Sequence, residues 1–177
     1  NKNLALELNK LFLEVIIANG FENSAIKILK TKKNLRLIDG TNYSSEELLK
    51  FVSFNRNIMI QSEDLNLFST KNFKIVSKRK PTSKQLKDLI FAFNVCRYVK
   101  SNAIVLASNE TTVGIGSGQP SRLDSCQIAI NKMKKFNHDT DNLVAASDAF
   151  FPFVDGIEKL VQSGVRAIVQ PYRSEEH

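Results

Sequence analysis

Apolar residues recur along the first half of the chain at spacings that predict alternating helices and strands. Leu4, Leu8 and Leu11 lie on one side of a short helix, and FLEVIIAN (12–19) has the β-branched content of a buried strand. The following segments predict a helix, a strand, a helical turn and a strand, in the order SAIKILKTKK, NLRLID, SSEELLKFV and RNIMIQ. The helical turn is expected because Ser44 and Glu47 have capping-box spacing.

The second half of the chain, after Pro81, alternates more clearly. Thr82 and Gln85 have the spacing of a capping box and predict a helix that runs to about Lys100. Its expected buried face contains Leu86, Leu89, Ile90, Phe93 and Cys96. NAIVLAS and TTVGIG are predicted strands, and the polar residues Asn109 and Glu110 between them indicate a hairpin.

The remaining elements continue the same alternation. Pro120 suits the first turn of a helix, which has an apolar side formed by Leu123, Cys126, Ile130 and Met133. A strand (NLVAAS), a helix that Gly164 ends (VDGIEKLVQS) and a last strand (VRAIVQ) follow. Strands that alternate with helices predict an α/β protein with a mixed sheet.

Composition and charge narrow the classes of function. The chain is 42% hydrophobic and 24% charged, without an apolar run long enough for a bilayer or a signal peptide, so a cytoplasmic protein is expected. Cys96 and Cys126 lie in helical patterns and predict buried thiols.

The net charge of +7 favours an anionic partner. The basic stretch from Lys71 to Lys87 fits a nucleic-acid surface, but no nucleic-acid-binding motif accompanies it, and a phosphorylated metabolite explains the charge equally well.

Three segments contain candidate site residues. The glycine-rich turn GIGSGQPSR (Gly114–Arg122) joins a strand to a helix, where N–H groups and Arg122 favour a phosphate or carboxylate; an ordinary tight turn is the alternative. Asn102 lies where a helix passes into a strand. In SDAFFPFVDG, Asp148 and Asp155 suit a helix start at Pro152, and the phenylalanines between them suit either a core or a planar ligand.

Metal and nucleophile chemistry have little support in the sequence. The only histidines are His138 and His177, and no cluster of histidine and cysteine has zinc spacing. No nucleophile elbow accompanies them. We therefore expect neither a metal site nor a serine-type triad.

VKSNAIV, GIGSGQPSR and ASDAFFPFVDG, in this order and spacing, resemble the transformylase part of the bifunctional purine-biosynthesis enzymes. That family pairs aminoimidazole-carboxamide ribonucleotide (AICAR) formyltransferase with IMP cyclohydrolase. The resemblance is strong from Lys80 to about Pro171 and looser upstream. It implies a three-layer α/β/α fold like that of cytidine deaminase, with residues 1–80 as the tail of a first subdomain and residues 81–177 as a truncated second one. The zinc signature of deaminases is absent.

The resemblance also implies a reaction, transfer of a formyl group from the co-substrate 10-formyltetrahydrofolate to the 5-amino group of AICAR, without a catalytic metal. Asn102 is then the catalytic residue, which orients the formyl carbonyl. The implied substrate-binding residues are Gly118, Ser121, Arg122, Asp148, Phe150, Phe153 and Asp155. Arg122 would bind the nucleotide, Phe150 would lie on the AICAR side, and Phe153 and Asp155 would face the folate. The implied partner is a second subunit in a homodimer, with neither nucleic acid nor a membrane.

The chain departs from the family pattern in five respects. It lacks the Lys-His segment, the cyclohydrolase domain and the closing stretch with its arginine, and Val154 and Tyr172 replace an arginine and a glycine. We therefore expect a fragment that is inactive alone. A non-catalytic nucleotide-binding module, completed by another subunit, is the alternative, and nucleic-acid binding through Lys71–Lys87 is a third hypothesis.

Overall fold

The chain forms two compact units, Asn1–Leu65 and Asn66–His177. The computed structural model describes residues 1–42, 49–62, 67–136 and 140–172. The second unit begins ahead of Pro81, where the sequence suggested a boundary. Phe68 belongs to this unit because its ring lies 4.5 Å from that of Phe93 and its N–H donates to Asn94 Oδ1 over 2.9 Å.

In its described residues, the first unit contains two helices and two pairs of strands. Its elements are α1 (Lys2–Asn9), β1 (Val15–Ala18), α2 (Asn23–Leu29), β2 (Arg36–Asp39), β3 (Leu49–Phe54) and β4 (Asn57–Ser62). Strands β1 and β2 are parallel, with Val15 opposite Arg36. Helices α1 and α2 bury Ala5, Ala25 and Leu29 in a small core. Five of the six predicted elements of this half are confirmed, but β1 is not the buried strand that was expected, because Val15 and Ile17 are exposed.

The predicted helical turn is wrong where the structure describes it. Leu49–Phe54 is a strand that pairs antiparallel with Asn57–Ser62, with Phe51 opposite Ile60 and Val52 opposite Met59. Aromatic and β-branched residues favour such cross-strand pairs. The pairing therefore overrides the local helical signal, and Ser44 and Glu47 lie outside the described residues.

The second unit is built on a four-stranded mixed sheet. Its elements are a 3₁₀ turn (Thr70–Asn72), α3 (Ser83–Cys96), β5 (Ile104–Ser108), β6 (Thr111–Gly116), α4 (Arg122–Lys135), β7 (Val144–Ser147), α5 (Val154–Gln162) and β8 (Ala167–Val169). The strand order is β6-β5-β7-β8. Strand β5 is antiparallel to β6 and β7, and β7 is parallel to β8, so the predicted α/β class with a mixed sheet is confirmed.

Helices cover both faces of this sheet because its central strands are apolar on both sides. Ile104 and Leu106 of β5 belong to the core that contains residues of α4 and α5. Val105 and Ala107 alternate with them and belong to the core that contains residues of α3. The two cysteines are buried as predicted, one in each core, and burial raises the pKa of Cys96 to about 12 and that of Cys126 to about 11.

Helix α3 begins at the predicted capping box. The Thr82 hydroxyl accepts from Gln85 N–H, and Gln85 Oε1 accepts from Thr82 N–H. The helix ends at Cys96 instead of Lys100. Its buried face also differs from the prediction, since Leu86, Ile90 and Phe93 are half-buried, whereas Gln85, Asp88, Leu89, Ala92 and Cys96 are buried.

Asp88 is buried because it holds the turn of the β5–β6 hairpin. Asn109 and Glu110 both have positive φ, as in the tight turns that connect twisted strands. Their N–H groups donate to the two carboxylate oxygens of Asp88 over 3.2 and 2.7 Å. The buried charge therefore has hydrogen-bond partners on the hairpin, which links α3 to the sheet.

Helices α4 and α5 begin slightly later than their prolines suggested. Ser121 is the N-cap of α4, and Phe153 is the N-cap of α5, so Pro120 and Pro152 both precede their helices. Cys126, Ile130 and Met133 are buried as predicted, and Leu123 is half-buried. Gly164, with φ of +104°, follows α5 as predicted.

Candidate functional site

The candidate residues converge at one end of the sheet of the second unit. Ile104, which begins β5, lies opposite Gly116 at the end of β6 and Ser147 at the end of β7. Helix α4 begins six residues after Gly116, with Arg122 as its first residue. The topology thus brings Asn102, Arg122 and Asp148 together from three distant parts of the sequence.

Two glycines allow α4 to lie directly on β6. A Cβ atom at Gly116 would lie 1.9 Å from the carbonyl oxygen of Ser125, and one at Gly114 would lie 2.2 Å from that of Ala129. Gly118, with φ of +69°, makes the turn that follows, and its N–H donates to Lys100 O over 2.8 Å. The glycines therefore serve close packing and a turn, and the Gly118 N–H already has a partner.

Arg122 is the centre of a hydrogen-bonded cluster. Its Nη1 donates to Ser147 Oγ over 2.8 Å and to Asp148 Oδ1 over 2.5 Å, and its Nη2 donates to Asn102 Oδ1 over 2.8 Å. The side chains of Arg122 and Asp148 are only 12% and 16% exposed. The guanidinium therefore joins the start of β5 to the end of β7.

The orientation of the Asn102 amide follows from its partners. Arginine has no acceptor, so the atom that faces Arg122 must be Oδ1. The other atom, Nδ2, donates to the backbone oxygens of Gln119 and Pro120 over 2.9 and 3.1 Å. Both N–H groups of the amide therefore have partners, and Oδ1 retains one lone pair.

Asp148 lies where several donors meet. It accepts from Ser101 Oγ, from Arg122 and, over 3.0 Å, from Ala103 N–H. Burial raises the pKa of Asp148, but the hydrogen bonds from Ser101, Arg122 and Ala103 and the charge of Arg122 together lower it by more. The pKa consequently lies below that of an ordinary aspartate.

A lowered pKa makes the stability of the second unit depend on pH. The ionised carboxylate of Asp148 stabilises the folded state fully above the unfolded-state pKa of about 3.9, and this contribution is lost as pH falls through the lower folded-state value. In urea unfolding between about pH 6 and about pH 3, the difference between wild type and Asp148→Asn is expected to shrink with pH.

Asp124→Asn is the control for this pH dependence, because Asp124 is exposed in the first turn of α4. Within the described residues, Asp124 makes no hydrogen bond or ion pair with Arg122, so the comparison separates removal of a carboxylate from loss of the Asp148 contacts. A stability difference for Asp148→Asn that stays constant with pH would contradict the electrostatic role.

The aromatic segment that follows Asp148 divides into buried and exposed positions. Phe151 packs against the core beneath α4 and α5, and Phe150 is half-buried. Phe153 is 74% exposed, and the exposed Asp155 accepts from the N–H of Gly156. Within the described part of the chain, no hydrogen bond or ion pair links Asp155 to the Arg122 cluster.

Ser121 caps a helix, and the two substituted family positions are exposed. The Ser121 hydroxyl caps α4 by accepting from Asp124 N–H over 3.4 Å. Val154 is exposed in the first turn of α5, and Tyr172 is exposed with Lys74 Nζ 5.8 Å from its ring centre.

Three serines of the site were not predicted from the sequence. Ser101 donates to Asp148, Ser147 accepts from Arg122, and the Ser125 hydroxyl donates to the backbone oxygen of Asn102 over 2.7 Å. Ser125 and Ser147 are fully buried. A detectable signal was the position of Ser125, three residues after Arg122, which places both on one side of α4.

Residues 1–42, 49–62, 67–136 and 140–172 contain neither a metal-binding cluster nor a helix that could span a membrane. No group of three or more His, Cys, Asp or Glu side chains there is placed to hold a metal ion. None of the helices in these ranges is long and apolar enough to cross a membrane. His138 and His177 lie outside the described residues.

The chain is similar in sequence to a family of known proteins. The family described as AICARFT/IMPCHase bienzyme matches residues 1–132. The bifunctional purine biosynthesis protein PurH of Persephonella marina is 43% identical over 169 residues, which cover 94% of this chain. The corresponding proteins of Buchnera aphidicola subsp. Schizaphis graminum and Aquifex aeolicus are 46% and 43% identical and cover 93% and 94% of it. The chain spans 32% of the length of each of these relatives.

Proposed function

Because the chain belongs to the AICARFT/IMPCHase bienzyme family, we propose that it carries part of the active site of an AICAR formyltransferase. The reaction transfers a formyl group from 10-formyltetrahydrofolate to the 5-amino group of AICAR in purine biosynthesis. The observation that carries the proposal is the direct contact of Arg122 with both Asn102 and Asp148, since these residues come from the three family-like segments. The Lys-His segment is absent from these 177 residues, so the chain binds substrate but does not catalyse the reaction alone.

The fold of the second unit supports a relation to cytidine deaminase, with the sheet as the middle of three layers. Helix α3 covers one face, and α4 and α5 cover the other. The first unit, Asn1–Leu65, is the tail of a preceding subdomain of the same kind. The shared fold does not imply shared chemistry, because the residues that bind the deaminase zinc are missing from the sequence.

The hydrogen bonds of Asn102 suggest how it acts on AICAR. Its two N–H groups already donate to Gln119 and Pro120, so it presents only an acceptor, the free lone pair of Oδ1. An acceptor suits an N–H of the 5-amino group, whereas the formyl carbonyl needs a donor. Asn102 therefore orients the attacking amine rather than the carbonyl named in the sequence-based expectation. Correct placement of two reactants lowers a barrier by roughly 7–11 kcal/mol.

Arg122 has donors left for the nucleotide. Three of its five N–H groups donate to Ser147, Asp148 and Asn102, which leaves Nε–H and one Nη2–H. These two donors bind an anionic or carbonyl oxygen of AICAR, while Phe150 lies on the same side. Ser121 and Gly118 shape the loop that leads to Arg122, and Asp148 keeps the guanidinium in place.

The folate binds beside the start of α5. The ring of Phe153 is exposed and available for stacking on the pterin, and Asp155, two residues later, is exposed for its polar edge. The protein acts in the cytoplasm as a homodimer and needs no metal. Exposed apolar side chains on the β3–β4 hairpin, among them Phe51, Phe54 and Ile58, support association with another surface.

Separate binding measurements for the two substrates test this assignment. We expect calorimetric titrations to show that Asn102→Ala weakens AICAR binding by roughly fivefold to tenfold and leaves the folate unaffected. Phe153→Ala is expected to weaken the binding of 10-formyltetrahydrofolate by a similar factor and to leave AICAR binding unchanged.

Tyr98→Ala is the matched control, because Tyr98 is another strongly exposed aromatic residue of the same unit. It is expected to change neither affinity. A wild-type chain that binds neither substrate would contradict the proposal. Binding of AICAR without turnover, even when the missing family segments are supplied on a second chain, would favour the non-catalytic module.

A further inference from the structure

Ser125 makes a hydrogen bond that its position in a helix does not require. It is the fourth residue of α4, and its own N–H donates to Ser121 O over 3.3 Å. A serine inside a helix commonly donates its hydroxyl to the carbonyl four residues earlier. The Ser125 hydroxyl instead donates across to Asn102 O over 2.7 Å, and the side chain is fully buried.

Asn102 is therefore held at two points by one helix. Arg122 binds the side-chain oxygen, and Ser125 binds the backbone oxygen. The two residues are three apart on α4 and lie on the same side of it. Asn102 belongs to a loop ahead of β5. The two contacts therefore fix both the position of its backbone and the orientation of its side-chain amide.

The contact depends on how closely α4 approaches the sheet. Ser125 is the residue whose carbonyl lies against Gly116, where a Cβ would come within 1.9 Å. The missing side chain at Gly116 thus permits the approach that brings the Ser125 hydroxyl to Asn102. A longer separation would break this hydrogen bond before it broke the one from the longer arginine side chain.

We propose that Ser125 is a positioning residue for Asn102, which it holds in the orientation that receives the AICAR amine. This inference rests on the proposed function for the role of Asn102. The positioning itself is a property of the free chain, because every contact that carries it lies within the chain. It is therefore measurable without substrate.

The first test is spectroscopic and uses the free protein. The side-chain amide signals of Asn102, identified by their loss in Asn102→Asp, are followed in a proton–nitrogen correlation spectrum. Ser125→Ala is expected to shift these signals and to speed exchange of their protons with solvent. Ser125→Cys, which keeps the volume but offers only a weak donor, is expected to do the same and serves if the alanine variant does not fold.

Ser108→Ala is the matched control. Ser108 is also buried, lies at the other end of β5, and donates its hydroxyl to Asp141 O over 2.8 Å. Its removal is expected to cost similar stability and to leave the Asn102 signals unchanged. Equal Asn102 signals in wild type, Ser125→Ala and Ser125→Cys would overturn the inference.

The second test connects the positioning to substrate. In calorimetric titrations, Ser125→Ala is expected to raise the dissociation constant of AICAR by roughly fivefold to tenfold, and Ser108→Ala less than about twofold. Shifted Asn102 signals with an unchanged affinity would refute the role of Asn102 in binding and leave the positioning intact. Unchanged signals would refute the positioning whatever the affinity.

Discussion

Replacement of Arg122 by alanine is expected to destabilise the second unit and to abolish the arrangement of the site. The substitution leaves Asp148 without its ion-pair partner and Asn102 Oδ1 without its donor. Breaking a fully buried ion pair costs roughly 3–5 kcal/mol. We expect about 2–3 kcal/mol here, because the two side chains keep 12% and 16% of their exposure and water partly screens them. Urea unfolding measures this loss of stability. The AICAR titration is expected to show a loss of affinity of more than about tenfold.

Two further variants separate the contribution of the ion pair from the general effect of removing an arginine side chain. Arg166→Ala is the matched control, since Arg166 is exposed immediately ahead of β8, and it is expected to leave both stability and affinity unchanged. In the double variant Arg122→Ala/Asp148→Asn, removal of both charges is expected to recover part of the stability. Equal free energies of unfolding for Arg122→Ala and Arg166→Ala would show that the cluster contributes no stability.

The elements of the second unit were predictable where the signal is local. The capping box of Thr82 and Gln85 begins α3, and the polar turn of Asn109 and Glu110 joins β5 to β6. Each signal lies within a few residues of the structure that it specifies. The same does not hold for Asp88, which is buried because it accepts from amides 21 and 22 residues away.

The prediction of a helical turn failed at Leu49–Phe54 for the same reason. Phe51 and Val52 favour a strand, but the local capping-box spacing favours a helical turn, and pairing with β4 decides between the two. The sequence offered the segment GIGSGQPSR as either an anion site or an ordinary tight turn. Within it, Gly114 and Gly116 bring α4 onto the sheet, and that requirement depends on the positions of Ala129 and Ser125, which the glycine pattern does not contain.

The site residues were recognised from a resemblance, and the structure adds how they are connected. Asn102, Arg122 and Asp148 have no common local pattern, since their contacts span 20 and 26 residues. Ser125 and Ser147 looked like ordinary residues of a helix and a strand. Their importance follows from their burial and from the partners of their hydroxyl groups.

Gly116→Ala is expected to have the other large effect, because it acts on the packing beneath the site. The added Cβ would lie 1.9 Å from the carbonyl oxygen, 2.6 Å from the carbonyl carbon and 2.8 Å from the Cα of Ser125. These are backbone atoms, so the clash is relieved only if the start of α4 moves away from β6. We expect a loss of about 3 kcal/mol in urea unfolding, at the upper end of ordinary overpacking costs, and shifted Asn102 side-chain signals.

Two other glycines make this prediction specific. Gly114→Ala meets Ala129 O at 2.2 Å, further along α4, and is expected to cost similar stability while it disturbs Asn102 less. Gly40→Ala has its nearest contact at an ordinary 3.7 Å and is expected to be neutral. Equal disturbance of Asn102 by the Gly114 and Gly116 variants would mean that α4 moves as one body. A Gly116 variant as stable as the Gly40 variant would mean that the close approach of α4 does not hold the site together.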